Sequence, residues 1–148
     1  RVDPKKTMVF NPEDSIDIQG FSAPFVQYTY ARIKSILRKE ADAFDALNKH
    51  AENIKNESIL LPLEKEMIVQ LEQYPTVLEQ ACAEFNPSLI TNFVFDLSKT
   101  FNSFYDQHSI AKAESELKKQ LRLQIAGMTA NTIKSGMQLM GIRVPERM

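Results

Sequence analysis

Residues with the chemistry to bind nucleic acid lie in two segments that are far apart in the chain. Positions 25–32 read Phe-Val-Gln-Tyr-Thr-Tyr-Ala-Arg, and positions 141–148 read Gly-Ile-Arg-Val-Pro-Glu-Arg-Met. Aromatic faces stack on unpaired bases, and guanidinium groups pair with phosphates or base edges. The two segments together therefore predict a surface that binds RNA.

The first segment is predicted to belong to a helix from about residue 24 to residue 44. Ser22 is suited to cap this helix, and a proline follows in its first turn. A core stripe is expected from the apolar residues at helical spacing, which are Val26, Tyr30, Ile33 and Leu37. Phe25, Tyr28 and Arg32 form a second stripe, turned roughly 110° from the first. The first stripe holds the helix in the domain, and the second is left to bind a partner.

Four further helices are predicted, at about residues 61–73, 76–84, 87–107 and 114–140. Asn86 followed by Pro87 is a strong start signal, and Gly141 can end the last helix as a left-handed residue. The buried stripe of the last helix is expected to be Leu117, Leu121, Ile125, Met128, Thr132 and Leu139. Gly127 and Gly136 inside it predict close approach of a neighbouring helix. The fold class is all-α, with five helices after a short extended N-terminal linker.

Length and composition fit a single globular domain. The 148 residues are 43% hydrophobic and 25% charged, and no apolar run approaches the ~20 residues of a membrane helix. The single cysteine, Cys82, excludes an internal disulfide and fits a reducing, cytoplasmic setting. Its apolar neighbours predict a buried thiol. Because a linker-like stretch follows Arg1, we expect a piece of a larger protein that begins at the exit from another domain.

Charge is unevenly distributed although the net charge is only −1. Residues 1–58 carry nine basic and nine acidic side chains, and residues 59–116 carry three basic against nine acidic ones. Residues 117–148 carry six basic side chains against one acidic one. This asymmetry indicates an anionic partner for the last third of the chain, although a solvated basic helix face would have the same composition.

The sequence contains no catalytic constellation. His50 and His108 lie in separate polar segments without spaced partners, so both are interpreted as surface histidines rather than as bases or ligands. There is no glycine-rich phosphate loop and no Cys/His cluster, so no catalytic or metal-binding residue is assigned. The acidic residues at 64–66 and 114–116 are interpreted as helix first turns, where they interact favourably with the helix dipole.

Three stretches resemble the anticodon-binding domain of the arginyl-tRNA synthetases. Residues 17–33 are similar to the helix that opens that domain, and residues 139–148 are similar to the family's C-terminus. Residues 97–105 resemble its aromatic helix. The chain departs from the Asp-Ala-Leu-Arg (DALR) motif that names the domain, because residues 119–122 read Lys-Gln-Leu-Arg. Arg122 is thus the expected functional remnant of that motif.

The resemblance implies a helical bundle of the class I synthetase anticodon-binding type. Residues 1–20 would be the exit from the catalytic domain, and residues 21–148 would be the anticodon-binding domain. The partner would be arginine tRNA. The parent enzyme would be a cytoplasmic, monomeric arginine–tRNA ligase that uses arginine, ATP and Mg²⁺. Neither catalytic residues nor a cofactor are expected in this piece, and no membrane association is expected.

The family's anticodon contacts transfer by position to Phe25, Tyr28, Arg32, Phe101, Tyr105 and Met148. Phosphate contacts are suggested for Lys34, Arg38, Arg122, Arg143 and Arg147. Alternatives stay open, because Phe101 and Tyr105 also fit an apolar helix face, and Arg143 and Arg147 can equally pair with the acidic segment 59–116. The family often has tyrosine where this chain has Phe25, which keeps a stacking role and loses a hydroxyl contact.

A second function is compatible with the same residues. The stripe of Phe25 and Tyr28 can dock a partner's helix, which would make the chain a helical protein–protein interaction module. Binding through phosphates weakens steeply as salt rises, whereas an apolar groove is nearly indifferent to salt. Salt dependence therefore distinguishes the two functions.

Overall fold

The computed structural model describes residues 7, 9, 11–17, 20–41 and 60–148. In these residues it contains helices and no strand, so the predicted all-α class is confirmed. The helices are α1 (Pro12–Ile16), α2 (Ala23–Lys39), α3 (Pro62–Glu72), α4 (Tyr74–Ala83), α5 (Ser88–Gln107) and α6 (Glu116–Leu139). Helices α2 to α6 correspond to the five that the sequence predicts. His50 and residues 42–44, the predicted end of the first helix, lie outside the described residues.

Helix α1 is the element that the sequence analysis missed, since it lies in the segment expected to be extended. Asn11 accepts a hydrogen bond from the backbone N–H of Glu13 at 3.0 Å, and Pro12 occupies the first turn. This is the same Asn-Pro start signal that precedes α5, where Asn86 accepts from the backbone N–H of Ser88 at 3.2 Å. Asparagine followed by proline precedes the helix in both places, with Asn11 as the N-cap of α1 and Pro87 as the N-cap of α5.

The two-stripe prediction for α2 agrees with the structure for the core stripe and for Tyr28, whereas Phe25 packs against the core. The hydroxyl of Ser22 accepts from the backbone N–H of Phe25 at 3.3 Å and so caps the helix. Three residues of the predicted core stripe are buried and the fourth is partly buried, these being Val26, Tyr30, Ile33 and Leu37. Tyr28, on the second stripe, is 44% exposed. The helix is therefore fixed on one side and open on another.

Helix α5 is the centre of the bundle, because it packs against α2, α3, α4 and α6. Its fully buried residues include Leu97, Phe101 and Phe104. Cys82 on α4 is exposed, so the predicted buried thiol is wrong. Ala81 is buried, whereas Ala83 and Phe85 are exposed like Cys82, so apolar neighbours in the sequence do not indicate burial at this position. None of the described helices is long and apolar enough to cross a membrane.

The buried face of α6 differs from the predicted stripe. Leu117, Met128 and Leu139 are each more than half exposed. The buried face instead carries many small residues, including Ala126, Gly127, Thr129, Ala130 and Gly136. Small side chains let α6 approach α2, α3 and α5 closely, and larger apolar residues such as Leu123 and Ile133 are buried on the same helix.

Helix α6 ends in a turn that directs the chain back to α2. Gly141 has a φ of 74°, and its N–H donates to the carbonyl of Gln138 at 3.0 Å. The N–H of Ile142 donates to the carbonyl of Met137, also at 3.0 Å. These two bonds are the Schellman motif, in which glycine takes the left-handed position at no steric cost. The predicted role of Gly141 is confirmed.

Candidate nucleic-acid interface

The last eight residues, which we call the C-terminal tail (141–148), run along the open face of α2. The side-chain amide of Gln27 donates to the carbonyl of Arg143 at 2.7 Å. Further along α2, Nη1 of Arg38 donates to the carbonyl of Glu146 at 3.1 Å. Nζ of Lys34 pairs with the side-chain carboxylate of Glu146 at 3.5 Å. Contacts between residues more than a hundred positions apart thus fix the tail on α2.

A cavity of about 380 Å³ lies where the C-terminal tail meets α2. It is lined by Tyr28, Ala31, Arg32, Ser35, Arg38, Arg147 and Met148. We call it the tail cavity. An aromatic ring, three guanidinium groups and a thioether thus surround one opening. Met148 is 65% exposed, so it borders the cavity without closing it. The tail cavity combines a stacking surface with positive charge, which are the two elements that bind an unpaired nucleotide.

The guanidinium of Arg32 is held by three residues of α5. Its Nη1 donates to Oδ1 of Asn102 at 3.1 Å, and its Nη2 pairs with the carboxylate of Asp106 at 3.0 Å. Its Cζ lies 4.7 Å from the centre of the Tyr105 ring, a cation–π arrangement. Sequence reasoning did not identify Asn102 or Asp106, because their contacts with Arg32 span 70 and 74 positions of the chain.

A second, smaller cavity adjoins the tail cavity on the other side of Arg32. Its volume is about 160 Å³, and its lining comprises Arg32, Ser35, Ile36, Lys39, Glu40, Tyr105, Ile110 and Ala111. Arg32 and Ser35 line both cavities. Tyr105, which the sequence left open between core and contact, is half-buried and borders this second opening. The two openings form one continuous surface along α2.

Two of the predicted aromatic contacts are placed away from both cavities. Phe101 is fully buried, and its ring stacks with the Tyr105 ring at a centroid distance of 6.3 Å. A ring in that position cannot offer a face to a base, so Phe101 supports Tyr105 from behind. Phe25 is half-buried against Phe95, with the ring centroids 5.0 Å apart. Tyr28 is therefore the ring of α2 that faces the tail cavity.

Arg122 is not a phosphate contact, which corrects the sequence prediction. Its side chain is only 2% exposed. Its Nε donates to Oε1 of Glu64 at 2.9 Å, and its two terminal nitrogens bond with the carbonyl of Ser109 and the carboxylate of Glu114, each at 2.7 Å. A guanidinium with this many partners inside the protein is unavailable to RNA. The arginine that survives from the DALR motif is structural.

Glu64 is the buried counter-charge that sequence reasoning missed. Its carboxylate is fully buried, pairs with Lys118 and Arg122, and accepts from the backbone N–H of Leu61 at 3.0 Å. Burial alone would raise the pKa of Glu64, but the hydrogen bonds from Lys118, Leu61 and Arg122 outweigh it and hold the pKa below its usual value. The ion cluster joins α3 to α6 and lies apart from the tail cavity.

The remaining basic residues divide between paired and open positions. Lys34 and Arg38 contact Glu146, as described above, and also lie beside the C-terminal tail. Lys119 pairs with Glu40, whose hydrogen bond raises the pKa of the lysine. Arg143 and Arg147 are exposed, and among the described residues neither pairs with the acidic segment 59–116. The alternative in which these two arginines neutralise that segment is thereby excluded for the part of the chain described.

The last residues to be placed are the potential metal ligands and His108. In the described part of the chain, no group of three or more acidic, histidine or cysteine side chains is placed to hold a metal ion. His108 follows α5 as its C-cap, is half-buried, and packs its ring on that of Phe104 at 5.9 Å between centroids. The surface interpretation of His108 is thus only partly right.

Comparison with known proteins finds similar sequences and structures over nearly the whole chain. The model of the DALR anticodon binding domain matches residues 26–148. The arginine–tRNA ligases of Flavobacterium psychrophilum and Phocaeicola vulgatus are 49% and 43% identical over the entire chain, which spans 23% and 24% of their lengths. Among solved structures, Thermus thermophilus arginyl-tRNA synthetase superposes with a TM-score of 0.81 at 27% identity, covering 98% of this chain and 24% of that one. The chain thus spans about a quarter of these relatives.

Proposed function

Because this chain belongs to the DALR anticodon binding domain family, we propose that it binds the anticodon of arginine tRNA in the tail cavity. The observation that carries the proposal is the meeting of Tyr28, Arg32 and Met148 around one opening. An anticodon loop presents unpaired bases, which proteins recognise by stacking and by hydrogen bonds to base edges. Tyr28 supplies the stacking face, and Arg32 supplies donors one turn further along α2.

The surrounding charges are arranged to hold the backbone of the same loop. Arg38 and Arg147 line the tail cavity, and Arg143 lies exposed on the C-terminal tail. Tyr105 and Lys39 extend the surface into the second cavity. Two adjoining openings that share Arg32 suit two neighbouring nucleotides of one loop. Phe101 acts behind this surface by supporting the Tyr105 ring, and Phe25 packs on Phe95 of α5.

The wider assignment follows the relatives' printed names. We propose that residues 21–148 are the anticodon-binding domain of an arginine–tRNA ligase and that residues 1–20, including α1, connect it to a catalytic domain. That ligase would join arginine to its tRNA using ATP and Mg²⁺, as a cytoplasmic monomer. No step of that reaction is assigned to residues of this chain. The part played here is to select the tRNA and position it.

Replacing Tyr28 by alanine should weaken binding of arginine tRNA by about 1–3 kcal/mol, the cost of losing one base–aromatic stack. Because Tyr28 is off the buried stripe of α2, the helical circular dichroism should be unchanged. The measurement is tRNA titration at fixed salt, using arginine tRNA with its natural anticodon and with the middle base altered. Phe85→Ala is the matched control, since Phe85 is an 84% exposed ring that lines neither cavity.

Two outcomes would contradict the proposal. If Tyr28→Ala and Phe85→Ala weaken binding equally, the tail cavity is not where the base stacks. If the unmodified chain binds its partner with an affinity that is indifferent to salt, phosphate contacts are absent and a protein partner becomes the better explanation. A steep loss of affinity with rising salt supports the proposal.

Removing Met148 should abolish most of the discrimination at a cytosine in the anticodon. Cytosine presents an N4 amino donor, and the backbone oxygen of Met148 at the rim of the tail cavity can accept from it. A good base contact contributes about 1–3 kcal/mol of discrimination. Met148→Ala is the control, because it keeps the backbone oxygen and removes only the thioether. Equal discrimination by the truncated and unmodified chains would disprove this hydrogen bond.

A further inference from the structure

We propose that Asn102 is a positioning residue that orients the Arg32 guanidinium for recognition of a base in the tail cavity. The inference rests on the proposed function and adds a specificity determinant on a different helix. Asn102 lines neither cavity, so it acts through Arg32 and not by touching RNA. The residue lies on α5, opposite the second turn of α2.

The amide of Asn102 is fixed in one orientation by Thr29. Its Oδ1 accepts from Nη1 of Arg32 at 3.1 Å, and its Nδ2 donates to the hydroxyl of Thr29 at 3.0 Å. Thr29 is fully buried, and its own hydroxyl proton goes to the carbonyl of Phe25 at 3.0 Å. Reversing the amide would turn its NH₂ towards the guanidinium, where both groups are donors. The chain of bonds therefore presents an acceptor to Arg32 in a fixed place.

Asn102 is neutral, which distinguishes it from the other polar partner of Arg32. The carboxylate of Asp106 is 65% exposed, so its pairing with Arg32 is weakened by water and salt. Asn102 holds the guanidinium without neutralising its charge. A guanidinium has five N–H donors, and these two contacts engage one hydrogen on each terminal nitrogen. The other donors remain for a base edge or a phosphate, and the contact with Asn102 removes none of the positive charge.

Fixing the guanidinium in advance also reduces the cost of binding. A free arginine side chain loses rotamer freedom when it contacts a ligand, and a planar fork that is already held loses less. The stack on Tyr105 sets the plane of the guanidinium, and the bond to Asn102 sets its rotation in that plane. Loss of Asn102 should therefore affect discrimination between bases, which depends on geometry, more than the salt dependence, which depends on charge.

The test is a double-mutant cycle on tRNA binding. Asn102→Ala should weaken binding of arginine tRNA about tenfold, which corresponds to about 1.4 kcal/mol, and should reduce discrimination against an altered anticodon. In an Arg32→Ala background the same change should have no further effect, because Asn102 acts through Arg32. Thr29→Ser keeps the hydroxyl and should retain binding, whereas Thr29→Val should lose part of it. Ser103→Ala, at an exposed neighbouring position, is the control.

A second readout needs no RNA. In Asn102→Ala, the NMR order parameter of the Arg32 Nε–H should fall, while backbone signals of α2 and α5 remain. The inference is overturned if Arg32 stays as rigid as before, or if Asn102→Ala weakens binding as much without Arg32 as with it. Failure of the proposed function is distinguishable, because the unmodified chain would then show no anticodon dependence. In that case Asn102 would also have no role in base recognition.

Discussion

Replacing Glu64 by glutamine is expected to lower the free energy of unfolding by about 3–5 kcal/mol at neutral pH, because it removes the buried carboxylate that Lys118 and Arg122 share. Glu64 is fully buried and pairs with both Lys118 and Arg122, whereas Glu114, another carboxylate on Arg122, is more than half exposed. An amide of the same shape would turn one donor towards these cations. The loss should appear in urea titration as a lower midpoint, and as a fall of about 10 °C in melting temperature.

Glu66→Gln is the matched control, because Glu66 is an exposed glutamate of the same helix. That change should alter stability by no more than about 0.5 kcal/mol. If Glu64→Gln is as mild as Glu66→Gln, the buried cluster does not hold α3 to α6. Since Arg122 is the arginine retained from the DALR motif, the result also tests whether that residue is kept for folding.

The same cluster gives stability a defined dependence on pH. The pKa of Glu64 in the folded chain is held below its usual value of 4.5. The unfolded chain therefore binds the proton more tightly, and acid favours unfolding. This contribution is fully present above about pH 4.5 and is lost as the pH falls through the lower, folded pKa. Glu64→Gln should lack it, so the stabilities of the two chains should converge in acid.

The elements that local patterns determine could be predicted, and those that depend on distant neighbours could not. The two stripes of α2 follow from helical spacing. The start of α2 at Ser22 and the end of α6 at Gly141 follow from cap chemistry. The buried face of α6 does not follow from spacing, because it depends on which side of the helix packs against α2, α3 and α5. Leu117 and Met128 match an apolar stripe and still face solvent.

The same distinction applies to the candidate site. Tyr28 and Met148 were identified from their chemistry and from the family resemblance, and both border the tail cavity. Arg122 matched the motif, but its availability depended on Glu64, which lies 58 positions earlier in the chain. Asn102 gave no signal in the sequence, because no spacing pattern distinguishes it from the other amide side chains of α5. Residues that hold a site in place are thus harder to predict than residues that line it.

Gly136→Ala is expected to destabilise the chain by about 1–3 kcal/mol, the usual cost of overpacking. In an isolated helix, alanine would be more favourable than glycine by about 1 kcal/mol. The expected destabilisation therefore comes from packing against the neighbouring helix. A methyl group at this position would overlap Cγ1 of Val94 and lie 3.4 Å from Cγ2 of Ile90. Val94 is buried, and its β-branched side chain has little freedom to rotate away. Urea titration measures the change.

The collision can be isolated with a second substitution. Val94→Ala removes the methyl group that Gly136→Ala would strike, so the double variant should lose less stability than the sum of the two single variants. Asn131→Ala, at an exposed position of α6, is the control and should be neutral or slightly stabilising. Additive losses would mean that α5 and α6 are not in the close contact described.

Close packing of α5 on α6 also bears on binding. Helix α5 carries Tyr105 and the partners of Arg32, while α6 leads into the C-terminal tail that completes the tail cavity. A shift between the two helices would move Met148 relative to Arg32. Gly136→Ala should therefore reduce anticodon discrimination in molecules that remain folded, and Val94→Ala should partly restore it. Measuring discrimination well below the melting temperature separates this displacement from unfolding.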